Sequence, residues 1–216
     1  MSIITLLTDF GLNDEYTGVM KGVILSINPS AVIVDITHQI DPQDIVQAAF
    51  TIQSTFRYFP AGTVHLVVVD PGVGTERTLL ALEMKKQFFI APDNGVLTLL
   101  FNENDITSLV RLTNQDFFLT TVSRTFHGRD IIAPIGAHIT NGVGLEKLGV
   151  QIETKDVCRL DNLLACILEN DELVGKIVAI DHFGNLITNI HASRLAELSQ
   201  IGEENKMEVK VGPHVI

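Results

Sequence analysis

The chain has only two cysteines, Cys158 and Cys166, and they are spaced neither as a zinc pair nor as a thioredoxin-like motif. Two such thiols point to a reducing compartment rather than a disulfide scaffold. Basic residues are scarce: 15 Lys and Arg stand against 26 Asp and Glu, a formal charge of −11. So acidic a chain lacks the electrostatic footprint that nucleic acid demands, but it suits a cationic small molecule. Apolar runs long enough for a membrane-spanning helix are missing as well. No basic stretch precedes an apolar one at the start, where an acid already stands at Asp9. A secretory leader is therefore not expected, and the protein is expected in the cytoplasm. Internal repeats and low-complexity segments are also lacking. What is present is 216 residues, 46% hydrophobic, enough for one large domain or two unequal ones with a sizeable core.

The stretch Val64–Arg77, VHLVVVDPGVGTER, stands out. Val64 to Val69 is apolar at every position but His65, the pattern of a strand buried on both faces. Asp70-Pro71-Gly72-Val73-Gly74 must end it, because Pro71 has no amide hydrogen and the glycines tolerate positive φ. A carboxylate is thereby delivered to the end of a central strand, where open α/β sheets bind ligands. Arg77 follows within reach of Asp70. These residues alone leave two readings open, a structural ion pair capping the strand or part of a functional site.

Two further strands are expected upstream, Ile3–Thr8 and Ala31–Ile36, both as buried strands. The first runs into Asp9-Phe10-Gly11, and the second contains Asp35 with His38 just beyond. Asp14 and Glu15 open a helix to about Ile27, where acids favour the positive end of the dipole. Asp41-Pro42 supplies a cap and first turn. The apolar spacing of Ile45, Ala48, Ala49, Ile52, Phe56 and Phe59 marks one buried helical face behind it. Strand–helix–strand–helix–strand is the grammar of a mostly parallel sheet with covering helices, and it would set Asp9, Asp35 and Asp70 along one edge.

Strands are also expected at Thr78–Met84, Gln87–Ala91 and Ile106–Leu112, with a turn at Lys85-Lys86 and a short helix from Val96 to about Phe101. Pro92-Asp93-Asn94-Gly95 reads as a turn. His127 sits on a loop before a helix at about Ile131–Ile139, a position that serves either chemistry or capping. Residues 141–163 read as the irregular exit from a first domain of residues 1–160. Beyond it, Leu173–Ile180, Leu186–Ile190 and Met207–Val211 read as strands and Ala192–Leu198 as a short helix, a small β domain of residues 161–216. The expected fold class is α/β.

Five segments together resemble the S-adenosyl-L-methionine hydroxide adenosyltransferases, relatives of the fluorinase and chlorinase enzymes. They are TDFG at Thr8–Gly11, DPGVGTER at Asp70–Arg77, APDNG at Ala91–Gly95, TFHGRD at Thr125–Asp130 and IDHFGNLITNI at Ile180–Ile190. The resemblance implies hydrolysis of S-adenosylmethionine to adenosine and methionine, with neither metal nor other cofactor. Its catalytic triad falls on Asp70, Arg77 and His127, with Asp70 and His127 polarising water and Arg77 holding Asp70 and the attacking oxygen. The same resemblance sets Asp9 on the ribose hydroxyls, Asp14 and Asp181 on the methionine ammonium, Phe183 on the adenine face and Asn185 on its edge. Asn94 belongs to the ribose site or holds its own turn.

The resemblance further implies homotrimers with active sites between subunits. The halogenating relatives carry a tyrosine where this chain has Asp70, a serine where it has Gly128, and an inserted loop where only Thr78–Ile90 separates Arg77 from Ala91. Those three departures point to water rather than halide as nucleophile. In the family the second domain continues further and supplies a backbone loop that reads adenine, so the barrel here is expected to be incomplete. Two other readings belong to different classes. One is a non-catalytic nucleoside or S-adenosylmethionine binding protein. The other, from residue types alone, is a metal-dependent hydrolase built on Asp9, Asp35, His38, Asp70 and His127.

Overall fold

A computed structural model describes residues 2–103, 105–164, 166, 167, 172–199 and 208–215, with the backbone alone at 166, 167 and 197–199. The chain divides into two compact units, Met1–Asp161 and Asn162–Ile216.

The first unit is built on a seven-stranded sheet: β1 (Ile3–Thr8), β2 (Val32–Thr37), β3 (Val64–Val68), β4 (Leu79–Met84), β5 (Gln87–Pro92), β6 (Ile106–Leu112) and β7 (Gly149–Gln151). The spatial order is β2-β1-β3-β5-β4-β6-β7. β1, β2, β3 and β5 run parallel, whereas β4 pairs antiparallel with β5 and β6, and β7 antiparallel with β6. Helices α1 (Tyr16–Ile27) and α3 (Ala133–Thr140) pack on one face against Ile4, Leu6, Val64, Leu66 and Val68. Helix α2 (Ile45–Thr55) packs on the other against Leu7, Val67 and Val69. Successive residues of β3 thus feed opposite cores, which is why the strand reads as an unbroken apolar run. Gly136 lets α3 lie close to β3, since a Cβ there would overlap Leu66.

Several expectations are corrected. β2 is an edge strand with one neighbour, so Val32 is 37% exposed and the strand is not buried as its apolar run implies. Val96–Phe101 forms turns and a 3₁₀ segment at Leu100–Asn102 rather than a helix, being too short to repay helix nucleation. The segment after residue 141 is less irregular than expected, because β7 extends the sheet.

In the second unit Leu173–Ile180 is not one strand. β9 (Leu173–Val174) pairs with β8 (Cys166–Ile167), and β10 (Ile177–Ile180) pairs with β11 (Leu186–Thr188). The break falls at Gly175-Lys176, where Asn189 Oδ1 accepts from Lys176 N at 2.7 Å and Ile190 crowds Gly175. Helix α4 (Ala192–Ser199) follows, then a ladder of β12 (Lys210–Val211) and β13 (His214–Val215). Met207, the expected start of the last strand, lies outside the described residues. Among those residues the ladders stay two-stranded and close into no barrel. No described helix is long and apolar enough to cross a membrane.

Candidate active site

β1 and β3 lie side by side and parallel, with Thr8 opposite Val68. The turns that leave them therefore emerge together at one sheet edge and carry Asp9 and Asp70 into one cleft. Its volume is about 640 Å³, and Asp9, Phe10, Gln43, Asp70, Phe126 and His127 are among its lining residues.

Arg77 folds back onto Asp70 across the intervening turn. Its Nε donates to both carboxylate oxygens at 2.8 Å, and Nη2 adds a shorter contact to Oδ2. The two side chains are only 10% and 6% exposed. Nη2 also donates to His127 Nδ1 at 2.9 Å. A guanidinium has no acceptor, so Nδ1 must accept, and the neutral imidazole carries its hydrogen on Nε2. Gly74 permits this closeness: it takes φ +79°, and a Cβ would overlap the carbonyl oxygen of Arg124, on the loop leading to His127. His127 itself sits at the mouth of a π turn, Gly128–Ile132, that runs on into α3.

Burial lowers the His127 pKa from the ordinary 6.5, the Arg77 charge adds to that shift, and Asp70 opposes it. The ring is thus neutral at pH 7, and protonation at lower pH would remove the acceptor that Arg77 uses. An acid limb in kcat/KM is expected, with its midpoint below pH 6.5, the unshifted histidine value. A pH–rate profile checks it; an acid midpoint at or above 6.5 would contradict the environment described for His127.

Asp9 Oδ2 accepts from Gln43 N at 2.8 Å. Gln43 adopts φ +67°, a left-handed conformation uncommon for a residue with a Cβ. Such strain concentrates at functional sites, and here it aims an amide at a cleft carboxylate. Phe10, Tyr16 and Phe126 form an aromatic cluster with centroids 5.1–5.7 Å apart, both contacts of Phe126 being edge-on. Arg129 lies 5.2 Å over the Phe126 ring and is held by fully buried Asp130, Nε to Oδ1 at 2.6 Å.

Of the sequence-expected residues, Asp9, Asp70, Arg77 and His127 are brought together. Asp14 is exposed on the bend before α1, and Glu15 caps that helix without a side-chain hydrogen bond. Asn94 serves the main chain: Nδ2 donates to Val69 O at 2.9 Å and Oδ1 accepts from Val96 N at 3.2 Å. It braces the strand end that carries Asp70. Asp35 and His38 pair with each other away from the cleft lining. Among the described residues no three His, Cys, Asp or Glu side chains are grouped to hold a metal, and of the five-residue set Asp35 and His38 stand apart from Asp9, Asp70 and His127.

In the second unit, Asp181, Phe183 and Asn185 share the turn between β10 and β11. Asp181 Oδ1 accepts from Phe183 N and Asn185 N at 2.9 and 2.8 Å, and Oδ2 from Asn185 Nδ2 at 2.7 Å. The Asn185 side chain, followed by the turn amides, lowers the Asp181 pKa. Phe183 is 87% exposed.

Sequence reasoning missed the aromatic cluster and Gln43. Phe10 and Phe126 lie inside the TDFG and TFHGRD segments and were within reach of the same reading. Nothing in Asp41-Pro42-Gln43-Asp44 announces a left-handed glutamine.

Residues 4–149 match the family model of the SAM hydroxide adenosyltransferase N-terminal domain, and residues 175–216 match that of its C-terminal domain. The chain is 37% identical over 187 residues to the (R)-S-adenosyl-L-methionine hydrolase of Salinispora arenicola, covering 85% of this chain and 70% of that one. Identity is likewise 37% over 197 residues to the protein of the same name from Methanocaldococcus jannaschii, covering 88% and 67%. The crystal structure of an uncharacterized conserved protein from Thermotoga maritima superposes with a TM-score of 0.85 at 41% identity, covering 91% of this chain and 74% of that one. With both domain models matched in order and the acid, guanidinium and imidazole in contact, the chain belongs to the SAM hydroxide adenosyltransferase family.

Proposed function

We propose that this protein hydrolyses S-adenosyl-L-methionine to adenosine and L-methionine. The observation that carries the reading is the contact of Arg77 with both Asp70 and His127 on the wall of a cleft that also holds Asp9. Water attacks the ribose 5′ carbon, the C–S bond breaks, and its electron pair neutralises the sulfonium as methionine leaves. Displacement of this kind depends chiefly on holding one oxygen in line with the leaving group in a site shielded from bulk water. Arg77 holds the Asp70 carboxylate in a fixed orientation through Nε and Nη2. Because Nδ1 of His127 is occupied by Arg77, the ring offers a donor at Nε2, and Asp70 is the group that receives the proton of the attacking water. Asp9, fixed through one oxygen by Gln43, keeps its other oxygen for the ribose hydroxyls. The residues serve this chemistry with neither metal nor other cofactor.

Asp14, Asp181, Phe183 and Asn185 complete substrate binding in this proposal, in a cytoplasmic homotrimer with active sites between subunits. The epimer assigned is the (R) form at sulfur, for which the relatives are named. The test is incubation with each epimer in ¹⁸O-water: label is expected in the 5′ hydroxyl of adenosine, faster from the (R) form. Binding without release of methionine would identify a non-catalytic binding protein instead. Loss of activity on chelation would return the metal-dependent reading.

A further inference from the structure

His38 lies just past β2 in the first unit, and the proposed chemistry does not use it. It is 3% exposed, and its Nδ1 lies 2.9 Å from Thr8 Oγ1. The same Thr8 oxygen accepts from Phe10 N at 3.3 Å, so the hydroxyl links the ring to the main chain just past Asp9. Nε2 stands 3.1 Å from Asp35 Oδ1, close but out of hydrogen-bond alignment, while Asp35 Oδ2 accepts from Lys21 Nζ at 2.6 Å. Hydroxyl, imidazole and carboxylate in that order suggest a nucleophile with its base, but Thr8 is fully buried and no substrate can meet its oxygen.

The main chain explains the arrangement better. Gly11 N donates to His38 O at 2.7 Å, and Ile40 N to Thr8 O at 3.4 Å. The His38 segment is therefore fastened on both sides of Asp9: to Thr8 before it and to Gly11 after it. Gln43, five residues beyond His38 on the same connection, holds the Asp9 carboxylate itself. On the far side of the ring, Lys21 of α1 holds the Asp35 carboxylate of β2 beside Nε2.

We infer that His38 is a positioning residue for Asp9: hydrogen-bonded to Thr8, the neighbour of Asp9, the buried imidazole sets the direction in which the Asp9 carboxylate enters the cleft. It thereby governs binding of the ribose rather than the displacement step. The inference rests on the reading of Asp9 as the ribose-binding carboxylate.

The experiment compares KM and kcat for S-adenosylmethionine hydrolysis in His38→Leu, His38→Gln, Thr8→Val and Asp9→Ala proteins, and in the Asp9→Ala/His38→Leu double variant. Losing one buried hydrogen bond next to Asp9 is expected to raise KM about tenfold in His38→Leu and Thr8→Val, with kcat changed by no more than about twofold. His38→Gln, which still offers Thr8 an acceptor, recovers most of the lost affinity. In the Asp9→Ala background His38→Leu adds nothing further, which a merely structural role would not reproduce. An unchanged KM, equal losses in kcat and affinity, or additive effects in the double variant would overturn the inference. Asp9→Ala with wild-type KM would instead overturn the ribose assignment, so the two failures are separable. Thr8→Val decides the matter should His38→Leu not fold.

Discussion

Asp70→Asn lowers kcat for S-adenosylmethionine hydrolysis by about a thousandfold, the size of contribution that a positioned general base makes, and leaves adenosine affinity within about threefold. The substitution keeps the shape of the side chain and one of its two acceptor oxygens. What it removes is the negative charge that lies within hydrogen-bond distance of Arg77 Nε through both oxygens. An amide is a far weaker proton acceptor than a carboxylate, so the attacking water loses the group that takes its proton. Binding of the nucleoside changes little because Asp9 and its Gln43 contact lie on different turns. Single-turnover kinetics together with calorimetric titration of adenosine separate the two quantities. A variant that retains kcat within about threefold would remove Asp70 from the chemistry.

Element positions were most legible where an apolar run is bounded by turn residues. β1 and β6 have the limits their apolar runs imply, and β3 differs by one residue. β2 carries an equally apolar run, but hydrophobicity reports composition and not whether a strand has one neighbour or two. The division of β9 from β10 depends on Asn189 and Ile190 meeting residues 175 and 176, a tertiary contact with no local signature. In the site, strand-end acids followed by turn residues located Asp9 and Asp70. Arg77 and His127 lie 50 residues apart, and their contact depends on Gly74 pressing one turn against the loop of the other. Asn94 shows the limit of motif reading: it belongs to a matching segment, yet its polar atoms support the backbone behind Asp70. Gln43 shows the opposite limit, since its contribution is a main-chain amide aimed by a dihedral angle.

Arg77→Met is the substitution expected to damage both fold and function most. The guanidinium and the Asp70 carboxylate are 10% and 6% exposed, so removing one charge strands the other away from water. Breaking a buried pair in that way costs about 3–5 kcal/mol, which for a unit of this size lowers Tm by roughly 10 °C. Activity falls at least as far as in Asp70→Asn, because the same change frees the Asp70 carboxylate to rotate and leaves His127 Nδ1 without its donor. Arg77→Lys should rescue only part of either loss, since a single ammonium cannot serve Asp70 and His127 with the fixed fork of a guanidinium. The decisive measurement is the double variant Asp70→Leu/Arg77→Met. Replacing both charges by apolar groups removes the stranded ion, so Tm should recover most of the loss while turnover stays abolished. That outcome means the pair holds a water in place and contributes little net stability. A double variant as unstable as Arg77→Met alone would mean that the pair stabilises the turn between Asp70 and Gly74 in its own right, with catalysis built upon a structural bridge.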